Sequence, residues 1–297
     1  MIIVRIQGGL GNQLQQYAMY CKFKSLGVET KVDLSWFRED IQKKQIMPRK
    51  LELSFFQGLM LEECTEKEKT DLIGRENDLF AKLQRRLLPG KSRYFAENGR
   101  MYLPEVFALR DAYVDGYWAC ESYYHDILPL LQQKLVFPVC RQEEIAQKNR
   151  QTMEKMAQEN SVSIHIRRGD YLDPANTALF GNICTEAYYD EAINTIGVKI
   201  QNPHFYIFSD DADYARERYH TSSYTVIDWN QGDNSYFDIQ LMSHCKHNIC
   251  ANSTFSFWGA RLNQNPDKRM IRPLKHRNNQ EYNRLEMEKL WPGYILL

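Results

Sequence analysis

Two adjacent arginines, Arg167 and Arg168, followed by Gly169 and Asp170, are the strongest anion-binding signal in this chain. Each guanidinium offers a rigid fork of donors and neither can lose its charge, so the pair suits a diphosphate. A surface turn with two solvated arginines is the competing reading. A second anion site is suggested by Asn252-Ser253-Thr254-Phe255. Ser253 or Thr254 there can cap a helix whose free N–H groups and dipole favour a phosphate, although an ordinary N-cap explains the same residues. Asp238 heads Asp238-Ile239-Gln240-Leu241-Met242-Ser243-His244-Cys245. Its plain role is to start a helix; its chemical role would be to accept the N1–H and 2-amino donors of guanine. Asp210 and Asp211 could orient an arginine, bind a sugar hydroxyl or act as a base. Near the amino terminus, Gly8-Gly9-Leu10-Gly11-Asn12-Gln13 lets backbone N–H groups approach a ligand. It lacks the Gly-Lys-Ser/Thr of a P-loop and does not complete the dinucleotide fingerprint, and a tight turn alone would account for it.

These groups need strands that end where they begin. Val162, Ile164 and Ile166 alternate along a buried strand that runs into the arginines. Beyond it, strands at Phe205 to Phe208, Tyr224 to Ile227, Asn248 to Ala251 and Met270 to Ile271 alternate with helices near Glu186 to Ile196, from Asp213, from about Tyr236 to Lys246 and from Thr254. That rhythm implies right-handed crossovers and a doubly wound parallel sheet, with the polar groups along one carboxyl edge. The chain opens with another β-α-β unit: a strand Ile2 to Ile6, the glycine turn, a helix through Leu14, Tyr17, Ala18, Cys21 and Leu26 closed by Gly27, and a strand Thr30 to Leu34. The region from about 35 to 105, with basic tracts at Gln42 to Lys50 and Lys82 to Arg93 and a turn at Pro89-Gly90, is expected to be a helical and irregular insertion. Ala112 to Trp118 reads as a strand followed by an aromatic cluster, Tyr117, Trp118, Tyr123 and Tyr124. Such rings can stack on sugars, but lining a core or an interface is the commoner role and the one expected here. Glu143 to Asn160 reads as a long polar helix bridging to a second domain, giving domains 1–157 and 158–297.

Composition narrows the classes. The 297 residues include 38 Lys plus Arg and 38 Asp plus Glu, so no net charge draws the chain to nucleic acid, and any polyanion site is local. Seven cysteines, dispersed and odd in number, do not resemble a disulfide framework and fit a reducing cytoplasm. The first apolar run is too short for a signal peptide, and no stretch reaches the ~20 apolar residues of a membrane span, which leaves room only for peripheral attachment at the inner face. His244, Cys245, His247 and Cys250 lack paired-ligand spacing for zinc, and neither a Gly-x-Ser-x-Gly elbow nor a His-Glu-x-x-His motif occurs.

Taken in order, His165-Ile166-Arg167-Arg168-Gly169-Asp170-Tyr171, Phe208-Ser209-Asp210-Asp211, Asp238 to His247 and Ala251-Asn252-Ser253-Thr254-Phe255-Ser256-Phe257-Trp258-Gly259-Ala260 resemble the α-1,2-fucosyltransferase family of bacterial type. The glycine turn and Gly116-Tyr117-Trp118 fit as well. The resemblance implies an α/β, GT-B-like fold with two Rossmann-like domains facing a cleft. It implies a metal-independent, inverting transfer of L-fucose from GDP-fucose to the 2-hydroxyl of a galactose-type acceptor, on an oligosaccharide or a glycolipid-linked glycan. It places Arg167 on the diphosphate, with Arg168 supporting the turn and Asp210 completing the catalytic group. The donor pocket would comprise His165, Arg167, Asp211, Asp238, Ser253, Thr254 and Phe255, with His165 and Asp238 at the guanine or ribose end. Gly9, Gly11, Asn12 and Gln13 would face the cleft on the acceptor side.

Two departures stand out: Phe257 and Arg261 occupy positions where family members often carry tryptophan, and the seventy-odd residues after the first β-α-β unit match nothing of use. The rival expectations are a non-catalytic nucleotide-sugar or glycan-binding protein on the same scaffold and a protein O-fucosyltransferase. Retention of both arginines and the carboxylates speaks against the first, and the Asn252 to Ala260 segment fits the second less well.

Overall fold

At the centre of the first sheet lies β1 (Ile2–Arg5), whose apolar side chains are buried. It pairs in parallel with β2 (Thr30–Asp33) on one side and β4 (Ala112–Asp115) on the other, and β3 (Tyr94–Ala96) adds parallel to β4. The order is therefore β2-β1-β4-β3, and the winding reverses between β1 and β4. The helix α1 (Leu10–Ser25) connects β1 to β2, with Gly27 left-handed just beyond its end (φ +72°). The computed structural model describes residues 1–43, 48–74 and 93–297. Most of the tract Lys82 to Arg93, the Pro89-Gly90 turn and part of Gln42 to Lys50 lie outside the described residues.

The stretch expected to be a helical and irregular insertion contributes more than that. It holds the short helix α2 (Glu39–Gln42) and α3 (Glu66–Ile73), which starts with a capping box between Thr65 and Glu68, but it also supplies β3. A three-residue strand is too short to show a period. Lys69 of α3 is buried against Asp33 at the end of β2 (2.9 Å), and Tyr113 donates to the same carboxylate at 2.6 Å. That paired burial fixes α3 to the sheet, since removing either charge would strand the other out of water. After β4 comes α4 (Leu128–Lys134).

The chain divides into Met1–Val136 and Phe137–Leu297. The division falls before the long polar helix α5 (Glu143–Gln158), expected as the bridge to the second domain, and α5 packs against the second unit's own β5 (Asn160–Ile166) and α9 (Tyr236–His244). In order, the second unit comprises β5 (Asn160–Ile166), α6 (Pro174–Phe180), α7 (Glu186–Gly197), β6 (Pro203–Ser209), α8 (Ala212–Arg218) and β7 (Tyr224–Ile227). Then follow α9 (Tyr236–His244), β8 (His247–Ile249), α10 (Thr254–Leu262), β9 (Met270–Arg272), α11 (Arg284–Leu290) and β10 (Tyr294–Leu296). All six strands are parallel in the order β10-β9-β8-β5-β6-β7, so this sheet reverses between β5 and β8. Val162, Ile164, Ile166, Phe205, Ile207, Ile249 and Ile271 form its core with Tyr188, Tyr189 and Ala192 of α7. Each unit is thus a parallel α/β layer structure, and the second is doubly wound as expected. Among the described residues no helix is long and apolar enough to cross a membrane.

Candidate active site

Open parallel sheets take ligands beyond the carboxyl ends of their strands, where the winding reverses. In the second unit that point lies between β5, which delivers Arg167, and β8, which delivers Ser253. Arg167 Nη1 lies 2.8 Å from Asp210 Oδ2, and the Arg168 amide donates to Asp210 Oδ1 at 2.9 Å. A Cβ on Gly169 would lie 2.4 Å from Asp210 Oδ2, so only glycine lets one carboxylate grip both positions. The Arg167 side chain remains 26% exposed. Arg168 has its own partners: its Nε meets Asp211 Oδ2 at 2.9 Å and its guanidinium lies 3.9 Å over the Tyr214 ring. Asp211 in turn caps α8 by accepting the Tyr214 amide at 3.1 Å. That backbone hydrogen bond first, and Arg168 second, hold the Asp211 carboxyl below its ordinary range. Arg168, grouped with Arg167 as catalytic from the sequence, thus has its Nε held by Asp211 within the turn. A cavity of about 430 Å³, lined by Gly169, Leu172, Asp210, Asp211, Asp213 and Arg216 among others, opens on this β6 side.

On the β8 side, Ser253 is the N-cap of α10, its Oγ accepting the Phe255 amide at 3.3 Å, and Thr254 begins the helix. Asn252 anchors this turn from behind. Its Nδ2 donates to the carbonyls of Phe180 (3.0 Å) and His276 (3.2 Å), its Oδ1 accepts from Cys184 Sγ (3.4 Å), and its carbonyl accepts the Tyr171 hydroxyl (3.1 Å). The His165 ring lies 5.5 Å from that of Phe255, and its Nδ1 is buried without a hydrogen-bond partner. Burial, reinforced by the Arg167 charge, pushes the imidazole down to about 3, so it is neutral at physiological pH.

Asp238 stands in the first turn of α9. Asn230 Nδ2 donates to its Oδ1 at 3.0 Å, and Asn230 is locked to Asn149 of α5 by a reciprocal amide pair of 3.0 and 3.1 Å. Trp229 Nε1 completes the group by donating to Asn149 Oδ1 at 2.7 Å. Burial, with Asp228 adding to it, pushes the Asp238 carboxyl up to about 8 against the Asn230 hydrogen bond.

In the first unit the glycine turn follows β1. Gly8 is left-handed (φ +80°), Gly9 is the N-cap of α1 and Gly11 is buried within its first turn. Asn12 is half-buried, its amide nitrogen 2.8 Å from where a Gly8 Cβ would stand. Gln13, expected to face the cleft, is instead fully buried. Its Nε2 donates to the carbonyls of Gly8 (2.8 Å) and Lys50 (2.9 Å), while Oε1 accepts the amides of Glu52 (2.8 Å) and Leu53 (3.2 Å). With its amide saturated, it staples the turn to the segment beyond β2. The aromatic cluster also divides: Trp118, Tyr123 and Tyr124 are buried as expected, but Tyr117 is not. Trp118 is left-handed (φ +52°), which for a bulky side chain costs about 1–3 kcal/mol.

The sequence profile named Glycosyl transferase family 11 matches residues 1–291. The chain belongs to glycosyl transferase family 11. It is 30% identical over 292 residues to the O-antigen biosynthesis glycosyltransferase WbnK of Escherichia coli, covering 91% of this chain and 93% of that protein. It is 26% identical over 280 residues to an alpha-1,2-colitosyltransferase of Escherichia coli, covering 88% and 87%. A stretch of 103 residues, 34% of this chain and 28% of the other, is 32% identical to galactoside alpha-(1,2)-fucosyltransferase 1 of Alouatta belzebul. Among solved structures, Escherichia coli ADP-heptose lps heptosyltransferase II aligns with 100% of this chain and 89% of its own at 11% identity, with a TM-score of 0.43.

In this family-11 glycosyltransferase several supporting residues escaped the sequence reading. Arg272 at the end of β9 is buried, 3.8 Å over Trp291 and 5.0 Å over Phe257. Arg261 lies 5.3 Å over Trp291 and 5.7 Å over Phe257. The two departures at Phe257 and Arg261 thus belong to one cation–aromatic block behind the Ser253 turn. Burial pushes the Arg272 guanidinium down to about 10, still charged at neutral pH. The zinc candidates serve elsewhere: His247 Nδ1 accepts the Arg269 amide at 3.1 Å, and Cys245 and Cys250 are buried. No group of three or more His, Cys, Asp or Glu among the described residues is arranged to hold a metal ion.

Proposed function

We propose that this glycosyltransferase moves L-fucose from GDP-β-L-fucose to the 2-hydroxyl of a terminal galactose-type acceptor, forming an α-1,2 linkage with inversion. The observation that carries the reading is the placing of Arg167 at the reversal of the second sheet, opposite the Ser253-Thr254 helix start. A diphosphate there would meet a fixed cation on one side and backbone donors on the other. Asp238 would accept the guanine edge, His165 and Phe255 would line the nucleotide, and Asp210 would hold Arg167 in place. In the transfer, the acceptor oxygen bonds to the anomeric carbon as the carbon–phosphate oxygen bond breaks. GDP leaves with the electron pair, and the hydroxyl proton passes to a base. Arg167 offsets the charge that builds on the departing diphosphate. One displacement suffices for inversion, and no residue need form a glycosyl intermediate.

The names of the relatives support an α-1,2 linkage and also favour a second donor, a colitosyl nucleotide. Seven free cysteines fit a cytoplasmic setting, where attachment to the inner membrane face would bring lipid-linked acceptors within reach. Incubation with GDP-fucose or GDP-colitose, a panel of β-galactosides and EDTA tests the reading. Fucosyl transfer to a galactoside 2-hydroxyl, undiminished by EDTA, is expected. GDP release without acceptor consumption, or no turnover, would refute it, and turnover of GDP-colitose alone would establish the second donor.

A further inference from the structure

Tyr117 stands apart from its aromatic neighbours: it is 48% exposed while Trp118, Tyr123 and Tyr124 are buried. It follows β4, whose partner β1 leads into the glycine turn, so it stands where the first sheet reverses. Three devices fix it. The Glu97 carboxylate accepts the amides of both Tyr117 (2.6 Å) and Trp118 (3.0 Å). Trp118 is held left-handed, a conformation that persists only where the surroundings enforce it and that gathers at ligand sites. Gln16 ties the two strand ends together, accepting the Gln7 amide at 2.8 Å and donating to the Gly116 carbonyl at 3.0 Å. Polar groups gather at the same strand ends: Asp115, the last residue of β4, accepts from Arg5 Nη1 (2.8 Å), Gln7 Nε2 (3.0 Å) and the Tyr94 hydroxyl (2.7 Å). Partial burial, and after it the Asp115 charge, push the Tyr117 phenol up. A rigidly presented aromatic face beside fixed hydrogen-bonding groups has the chemistry of a sugar platform, the ring covering the C–H face and the polar groups meeting hydroxyls.

We propose that Tyr117 is the stacking platform for the pyranose ring of the acceptor. The proposal rests on the glycan-transfer reading above and adds to it the residue that seats the acceptor sugar. The full chain is compared with Tyr117→Ala, Tyr117→Leu and Tyr117→Phe in transfer from GDP-fucose to lactose. Saturation-transfer NMR of methyl β-D-galactopyranoside in the presence of GDP reads binding without turnover. Ala and Leu are expected to raise the lactose KM about tenfold and to abolish the NMR transfer, while GDP-fucose KM and acceptor-free hydrolysis stay within about twofold. Phe, which keeps the ring, is expected to hold lactose KM within about threefold. Leu keeps the bulk, so the Leu and Phe pair decides the question even if the Ala variant does not fold. An unchanged lactose KM in folded Ala or Leu variants, or a rise confined to GDP-fucose KM, overturns the proposal. If the wild type turns over no GDP-fucose, it is the donor reading that fails. The NMR comparison then decides on Tyr117 alone, and a signal that is absent in wild type or undiminished in Leu overturns the proposal.

Discussion

Replacing Asp238 by Asn should flatten the pH dependence of GDP binding. The Asp238 carboxyl is pushed up to about 8, first by burial, so without nucleotide it is about nine-tenths protonated at pH 7. If Asp238 accepts the guanine N1–H and 2-amino donors, as proposed, these favour the anion and binding expels that proton. If only the anion binds, affinity rises about 50-fold from pH 6 to pH 8 and levels off above. The sign for folding is the opposite. The ligand-free native state keeps a proton that the unfolded chain has released, so this group lowers stability as pH rises towards 8. At pH 8 the Asn variant should lose about 2 kcal/mol of binding, roughly thirtyfold in Kd, because a neutral amide offers one acceptor where the carboxylate offers two. Calorimetric titration with GDP in buffers of different ionisation enthalpy counts the protons, and wild type should release about 0.9 at pH 7. Titration of the diphosphate itself is common to both proteins and cancels in the comparison. Parallel wild-type and Asp238→Asn curves, or no proton release at pH 7, would refute both the guanine contact and the pKa argument beneath it.

Arg167→Ala should lower kcat at least 1000-fold, an order-of-magnitude expectation for removing a cation from a developing leaving-group charge, while circular dichroism stays native. A folded variant with most of its turnover would refute the assignment. Gly169→Ala sets a Cβ 2.4 Å from Asp210 Oδ2 and should cost about 1–3 kcal/mol in urea unfolding. Adding Asp210→Ala should relieve that cost, which a double-mutant cycle measures. Gln13→Ala breaks the four hydrogen bonds of a buried amide and should destabilise the fold by about 2–4 kcal/mol while leaving GDP-fucose KM unchanged, as denaturation and initial rates would show.

How much of this was legible depended on how local each cause was. The strands β5 to β7 announced themselves because apolar runs lead straight into charge, and Asp210 with Asp211 follows the same pattern. The different partners of the two arginines were not legible. Whether a guanidinium faces a ligand or an aspartate of the next strand depends on Tyr214 and Asp211, more than 40 residues away in sequence. Gln13 looked like a free amide next to a glycine turn because its partners lie 37 to 40 residues later. Short strands such as β3 and β10 carry no period of their own and exist because a neighbouring strand offers an edge. In the aromatic cluster, composition could not separate Tyr117 from Trp118; a left-handed residue sends the two rings to different places.

The charges around Arg167 bear on which side of β5 a diphosphate would occupy. On the β6 side, Asp210, Asp211 and Asp213 line the cavity beside Arg167, and Arg216 there is already paired with Asp213 and Asp228. A polyanion entering that side would meet carboxylates that already neutralise the arginines. On the β8 side stand the α10 start and the Ser253 turn, behind which the buried cations Arg261 and Arg272 add positive potential. Both field and hydrogen bonding therefore favour the β5–β8 crevice for phosphate. The acidic β6 cavity suits hydroxyls of a ribose or sugar, which carboxylates accept readily. If the donor diphosphate lies in that crevice, Asp210 would act as a fulcrum: by holding Arg167 Nη1 it would aim the guanidinium at the phosphate before charge begins to move.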